Sequence, residues 1–104
     1  MTRMNKSRFV LAVSDLEQSR RYYMDVLSFV GDRRVEGWSY LSRGEYHIRL
    51  GDCPGIKPMS DAQDHSWFSY LHVDDAKELY DEFVRKGAEL WHRIGDKPWG
   101  MREC

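Results

Sequence analysis

Apolar and polar residues alternate in one stretch near the start of the chain, and the same pattern returns later. In "FVLAVSDLEQSRRYYMDVLSF", residues 9 to 29, Phe9, Leu11 and Val13 alternate with Val10 and Ala12, which predicts a strand covered on both faces. Ser14 and Asp15 are helix-capping residues, and Glu17 stands three positions after Ser14, the spacing of a capping box. Leu16, Tyr23, Val26 and Leu27 then share one helical face, which predicts a helix ending near Ser28. Sixty residues on, Leu71, Val73 and Asp75 repeat Leu11, Val13 and Asp15, and Phe83 falls where Tyr23 did. Asp75 and Glu78 form a second capping pair. Ala76, Leu79, Tyr80, Phe83 and Val84 form an apolar stripe, and Gly87 suits its end. Matched residues in matched strand–cap–helix contexts indicate an internal duplication.

Three more strands are expected between the helices. They cover Phe29 to Val35, Gly37 to Ser42 and Tyr46 to Leu50, with Gly44-Glu45 as a turn. In the last, Tyr46, Ile48 and Leu50 face one way and His47 and Arg49 the other. The first unit is thus strand–helix–strand–strand–strand, over about residues 7–51. The stretch "GDCPGIKPMSDAQDHS" carries Pro54, Gly55 and Pro58 and reads as a linker over about 52–65. The second unit, about 66–104, has a strand expected at Ala88 to Arg93, a turn in "GDKPWG" and a further strand opening at "MREC". It has no room for a fourth strand. An unpaired sheet edge is a liability, so a homodimer, with or without strand exchange, is expected to cover it.

Composition adds little constraint, with one exception. A chain of 104 residues suits a single domain, and its net charge of -1 gives no general attraction to nucleic acid or membrane. The longest apolar run, Phe9 to Val13, is far too short to span a bilayer, and Met1 to Arg8 lacks the apolar core of a signal peptide. Cys53 and Cys104 form neither a disulfide framework nor a zinc motif, and two free thiols point to a reducing cytoplasm. The exception is aromatic content: four Trp, six Tyr and four Phe exceed what a core this small needs. Trp91 and Trp99 are expected at an interface.

With these segments in hand, the chain resembles the vicinal oxygen chelate superfamily, which includes glyoxalase I, bleomycin-resistance proteins and extradiol dioxygenases. "FVLAVSDLEQSRRYYMDVLSF" is similar to the opening of that family's first module, "SYLHVDDAKELYDEFVRKGAEL" to that of its second, and "KPWGMRE" to a stretch late in many bleomycin-resistance-like members. The resemblance implies an α+β fold of paired βαβββ modules whose curled mixed sheets enclose a cavity, here with the second module truncated. Metal-using members keep a His at the position of Arg8, another at the position of Phe68, and a Glu at the position of Arg49. A further Glu belongs to a final strand that this chain lacks. Guanidinium and phenyl groups offer a cation no lone pair. No metal and no cofactor are therefore expected, and the resemblance leans toward the metal-free members rather than an enzyme. His47, His65, His72 and His92 match no ligand spacing.

Strand alternation places Arg8 with Val10 and Ala12, Trp38 with Tyr40, His47 with Arg49, and Phe68 with Tyr70 and His72. These eight residues (Arg8, Trp38, Tyr40, His47, Arg49, Phe68, Tyr70 and His72) are the expected ligand-binding set. They describe an aromatic-walled pocket for a flat or partly apolar small molecule, with a carboxylate or phenolate end for the arginines. Two plainer readings stand beside it: Trp38 and Tyr40 as core or dimer contacts, and Arg8 and Arg49 as partners of carboxylates. No catalytic nucleophile is indicated. Cys53 has no evident base, Asp74-Asp75 is explained by capping, Arg20-Arg21 and Arg33-Arg34 read as solvated, and Gly51 and Gly55 read as turn glycines. By resemblance, metal-free members hold drugs in grooves at a dimer interface. Bleomycin-type drugs are cationic, however, and the arginines do not favour one. The competing reading is a metal-dependent lyase, isomerase or dioxygenase with a non-standard site.

Overall fold

The alternating runs of the first unit become strands, and their apolar faces meet under one helix. The computed structural model describes residues 1–57, 61, 67–90 and 93–103. Strand β1 is Phe9–Val13, followed by helix α1, Leu16–Arg21, which continues as a π-helical turn over Tyr22–Val26. Strands β2, Val30–Val35, β3, Trp38–Arg43, and β4, Tyr46–Asp52, follow. The sheet order is β1-β4-β3-β2, with β1 parallel to β4 and the other pairs antiparallel. The fold is mixed α+β, and the first unit is a complete βαβββ module.

Leu41, Ile48 and Leu50 are fully buried where β3 and β4 pass beneath α1. Burying each stabilises the fold by about 1.5–3 kcal/mol. Leu11, Val13, Leu16, Tyr23, Met24, Phe29 and Tyr46 pack around them. Ser39 is also fully buried on this face, and its hydroxyl has no hydrogen-bond partner. Burial drives the Tyr23 phenol up to about 12, with Tyr46 and Tyr22 adding to the effect. The helix is capped by Asp15, whose Oδ1 accepts from the Gln18 N–H at 3.1 Å, so the cap is Asp15 and not Ser14. Glu17, freed from capping, faces Arg20, Arg21 and Arg34 instead.

The chain divides into two compact units, Met1–Ser69 and Tyr70–Cys104. In the second unit, helix α2, Ala76–Arg85, starts at Asp75, whose Oδ1 accepts from the Glu78 N–H at 3.0 Å as the capping pair predicts. Gly87 follows it with φ +79, the left-handed conformation that ends a helix. The strands depart from expectation. Among the described residues no strand forms at 70–73, 88–90 or 93–94, nor at 67–69 at the end of the first unit. A two-stranded ladder instead joins β5, Gly95–Asp96, within the stretch expected to be a turn, to β6, Arg102–Glu103. Side chains hold this hairpin: Arg102 Nε donates to Asp96 Oδ1 at 2.8 Å, and Glu103 Oε2 accepts from the Tyr70 hydroxyl at 2.6 Å and from Trp99 Nε1 at 2.5 Å. These two donors hold the Glu103 carboxyl below its usual range. Pro58, His65, Trp91, His92 and Cys104, each assigned a role above, lie outside the described residues. Among the described residues no helix is long and apolar enough to cross a membrane.

Candidate functional site

The sheet face turned away from α1 is set by register. Tyr40 pairs with Arg49, Trp38 with Gly51, Ser42 with His47, and Val10 with Arg49 on the other side. Paired residues point the same way, so Trp38, Tyr40, His47 and Arg49 share this face, and Val10 and Ala12 extend it across β1. Arg8 joins them, with its guanidinium carbon 5.0 Å from the centre of the Tyr40 ring. Arg49 lies 4.4 Å from the Trp38 ring and 6.0 Å from that of Tyr40, and its Nη1 donates to the Tyr40 hydroxyl at 3.3 Å.

A third arginine completes the group. The pairing of β2 with β3 slips between Gly31 and Arg33, leaving Asp32 as a bulge. The slip sets Arg33 opposite Tyr40 and Arg34 opposite Ser39, so the doublet splits between the two faces. Arg34 Nη2 donates to Glu17 Oε2 at 2.8 Å beside α1. Arg33 sits over the Tyr40 ring at 4.8 Å. The doublet is therefore not simply solvated. Sequence alternation missed Arg33 because a bulge reverses it; Asp32 beside Gly31 was the available cue. Arg49, then Arg33, hold the Tyr40 hydroxyl below its ordinary range.

Positive charge predominates on this face, where Asp32 accepts from the Ser42 hydroxyl at 3.0 Å. Among the described residues, no carboxylate pairs with Arg8, Arg33 or Arg49. Guanidiniums at these distances from one ring centre stand no more than about 11 Å apart, where two unit charges repel by about 0.4 kcal/mol in water and about 1.5 kcal/mol at an effective dielectric of 20. Cation–π contact with Tyr40 and Trp38 offsets part of that repulsion. Arg8 Nη1 and His47 Nδ1 are closed off from solvent with no hydrogen-bond partner.

Gly51 also belongs to the site. It is a buried residue within β4 and not a turn glycine. The Trp38 ring lies directly over it: a Cβ built on Gly51 would stand 2.8 Å from Cζ3 and 3.0 Å from Cη2 of Trp38. The missing side chain leaves room for the indole to pack against the strand beside Arg49.

The other expected residues are divided between the two units. The Phe68 ring meets Phe9 edge-on at 6.3 Å, and Phe9 stacks on Tyr46 at 5.2 Å, next to the core and away from the arginines. Tyr70 and His72 belong to the second unit, with rings 5.1 Å apart. A hollow of about 480 Å³ in that unit, lined by Asp75, Lys77, Glu78, Asp81, Glu82 and Arg85, is a charged flank of α2 open to solvent. Cys53 is an exposed free thiol. Some members of the resembled family hold a metal, but these residues do not fit one. The position of Arg8 carries an orphaned N–H donor where a lone pair is needed, and among the described residues of this face His47 is the one imidazole, set beside three arginines. Among the described residues no three His, Cys, Asp or Glu side chains converge.

Solved structures share this architecture. The bleomycin resistance determinant encoded on the transposon Tn5 matches with 26% identity over 95% of this chain and 84% of its own, at a TM-score of 0.75. A bleomycin-binding protein complexed with bleomycin matches with 25% identity over 95% and 85%, at 0.73. The bleomycin-binding protein of Streptomyces verticillus, complexed with copper(II)-bleomycin, matches with 19% identity over 98% and 85%, at 0.74, a likeness of fold alone. No curated protein sequence matches the chain. The family model of the Glyoxalase/Bleomycin resistance protein/Dioxygenase superfamily matches residues 7–104, nearly the whole chain, and the chain belongs to that superfamily.

Proposed function

We propose that this protein is a metal-independent small-molecule binding protein of the bleomycin-resistance-like type, holding an aromatic or amphipathic ligand in a cavity at a dimer interface. The observation that carries the reading is the sheet face of Arg8, Trp38, Tyr40, His47 and Arg49, joined by Arg33. It offers aromatic surface and unpaired N–H donors together, the combination that small-molecule sites use to hold and orient a ligand. Two solved relatives at 25–26% identity, named for bleomycin resistance and bleomycin binding, support a binding role within the superfamily. The arginines set the charge preference against cationic drugs.

Metal analysis of the purified protein, followed by a thermal-shift panel of divalent ions and small aromatic molecules, tests the reading. The expected result is no stoichiometric metal, with a rise in Tm from aromatic ligands that Trp38→Ala reduces. Stoichiometric metal that disappears with His47→Ala would overturn it. Sedimentation should show a dimer at micromolar concentration; a stable monomer there would remove the dimer-interface element.

A further inference from the structure

The face opposite α1 carries one more cation than the alternation of β3 and β4 discloses. Arg8 precedes β1, Arg33 lies in β2 and Arg49 in β4, so three separate segments bring guanidiniums to one ring. Their carbons stand 5.0, 4.8 and 6.0 Å from the Tyr40 centroid. No carboxylate among the described residues lies within ion-pair distance of them; Asp32, at the bulge, accepts from the Ser42 hydroxyl at 3.0 Å instead. Arg8 Nη1 is moreover shut off from solvent with nothing to donate to. Buried N–H donors are rarely left unmade, so the face is built for an acceptor.

The number of guanidiniums constrains that acceptor. A carboxylate brings one charge and two oxygens, which one guanidinium satisfies through a two-bond fork. Three guanidiniums call for more charge and more oxygens. A phosphate monoester has three terminal oxygens and a charge of about −1.5 to −2 at pH 7. Trp38, packed over Gly51 and beside Arg49, supplies aromatic surface for a flat body attached to the phosphate.

We propose that this face binds a phosphate monoester of a flat aromatic body, its dianion bridging Arg8, Arg33 and Arg49 around Tyr40 and its ring set against Trp38. The assignment rests on the binding reading above and narrows it to one charge class. Four probes test it by calorimetry on the full chain near neutral pH. They are 1-naphthyl phosphate, 1-naphthyl sulfate, 1-naphthol and inorganic phosphate. The two esters share shape and oxygen count and differ in charge. The phosphate ester is expected to bind at least about 10-fold more tightly than the sulfate, a difference of about 1.4 kcal/mol. It should also bind more tightly than naphthol or inorganic phosphate. Arg33→Gln, on an exposed strand, should weaken the phosphate ester about 10-fold and leave naphthol unchanged, with circular dichroism confirming the fold. Equal binding of the two esters, or an Arg33→Gln protein that binds the phosphate ester normally, would overturn the dianion assignment while leaving small-molecule binding intact. Inorganic phosphate binding as tightly as the ester would overturn the aromatic-body element. Silence from all four probes and from the aromatic panel would overturn both readings.

Discussion

Replacing Gly51 with alanine tests whether the indole platform depends on one missing methyl group. Gly51 is not in the left-handed region, so alanine fits its backbone without strain. In open space the change would be mildly favourable, because glycine weakens a strand interior. Here the new Cβ would meet Cζ3, Cη2 and Cε3 of Trp38 at 2.8, 3.0 and 3.3 Å. Ordinary carbon contacts lie at about 3.5–4.0 Å, so the ring must move by on the order of 0.5–1 Å. Overpacking of this kind costs about 1–3 kcal/mol. For a domain of this size each kcal/mol lowers Tm by about 4–8 °C. Thermal unfolding followed by circular dichroism should therefore show a Tm lower by roughly 4–24 °C. The control is the same change in a Trp38→Ala background, where the obstacle is gone and Gly51→Ala should cost nothing or stabilise slightly. If Gly51→Ala costs the same in both backgrounds, the penalty does not come from Trp38 and the platform argument fails.

Other perturbations follow from the first unit. Tyr23 has a folded pKa near 12 against 10.0 unfolded, so the folded state holds its proton more tightly. That contribution is fully present below about pH 10 and is lost as pH rises toward 12, amounting to about 2–3 kcal/mol. Denaturant titrations at stepped alkaline pH should show Tyr23→Phe losing less stability than the parent over that window. Ser39→Ala removes a fully buried hydroxyl that has no partner, and should raise stability by about 1 kcal/mol in urea unfolding, whereas a loss would mean the hydroxyl is satisfied. Glu17→Gln disconnects Arg20, Arg21 and Arg34; because Glu17 is 44% exposed, the cost should stay below about 1 kcal/mol and vanish in high salt.

The first module was legible because its strands alternate cleanly and its turns are marked by glycine. Tyr46 to Leu50 was expected as a strand with Ile48 and Leu50 inward, and both are fully buried in β4. Asp75 as a cap was equally plain, since a carboxylate three residues before a free N–H has an evident partner. Other features were hidden for physical reasons. Arg33 came to the aromatic face through a bulge, and a bulge reverses the alternation on which facing is judged. Gly51 read as a turn because a sequence does not reveal what lies above a missing side chain. Glu17 could serve a cap or an arginine cluster, and Asp15 took the cap. In the second unit, strands of two residues are too short to show a period.

The bulge at Asp32 carries an evolutionary consequence. β2 is an exposed outer strand, and none of the three fully buried apolar side chains belongs to it. Moving the bulge past Arg34 would set Asp32 opposite Tyr40 and turn Arg33 toward Ser39 while the packing beneath α1 stayed as it is. Ligand preference in such a module can therefore drift as a bulge shifts along a rim strand, decoupled from selection on the interior. Relatives with nearly identical interiors would then be free to recognise molecules of opposite charge.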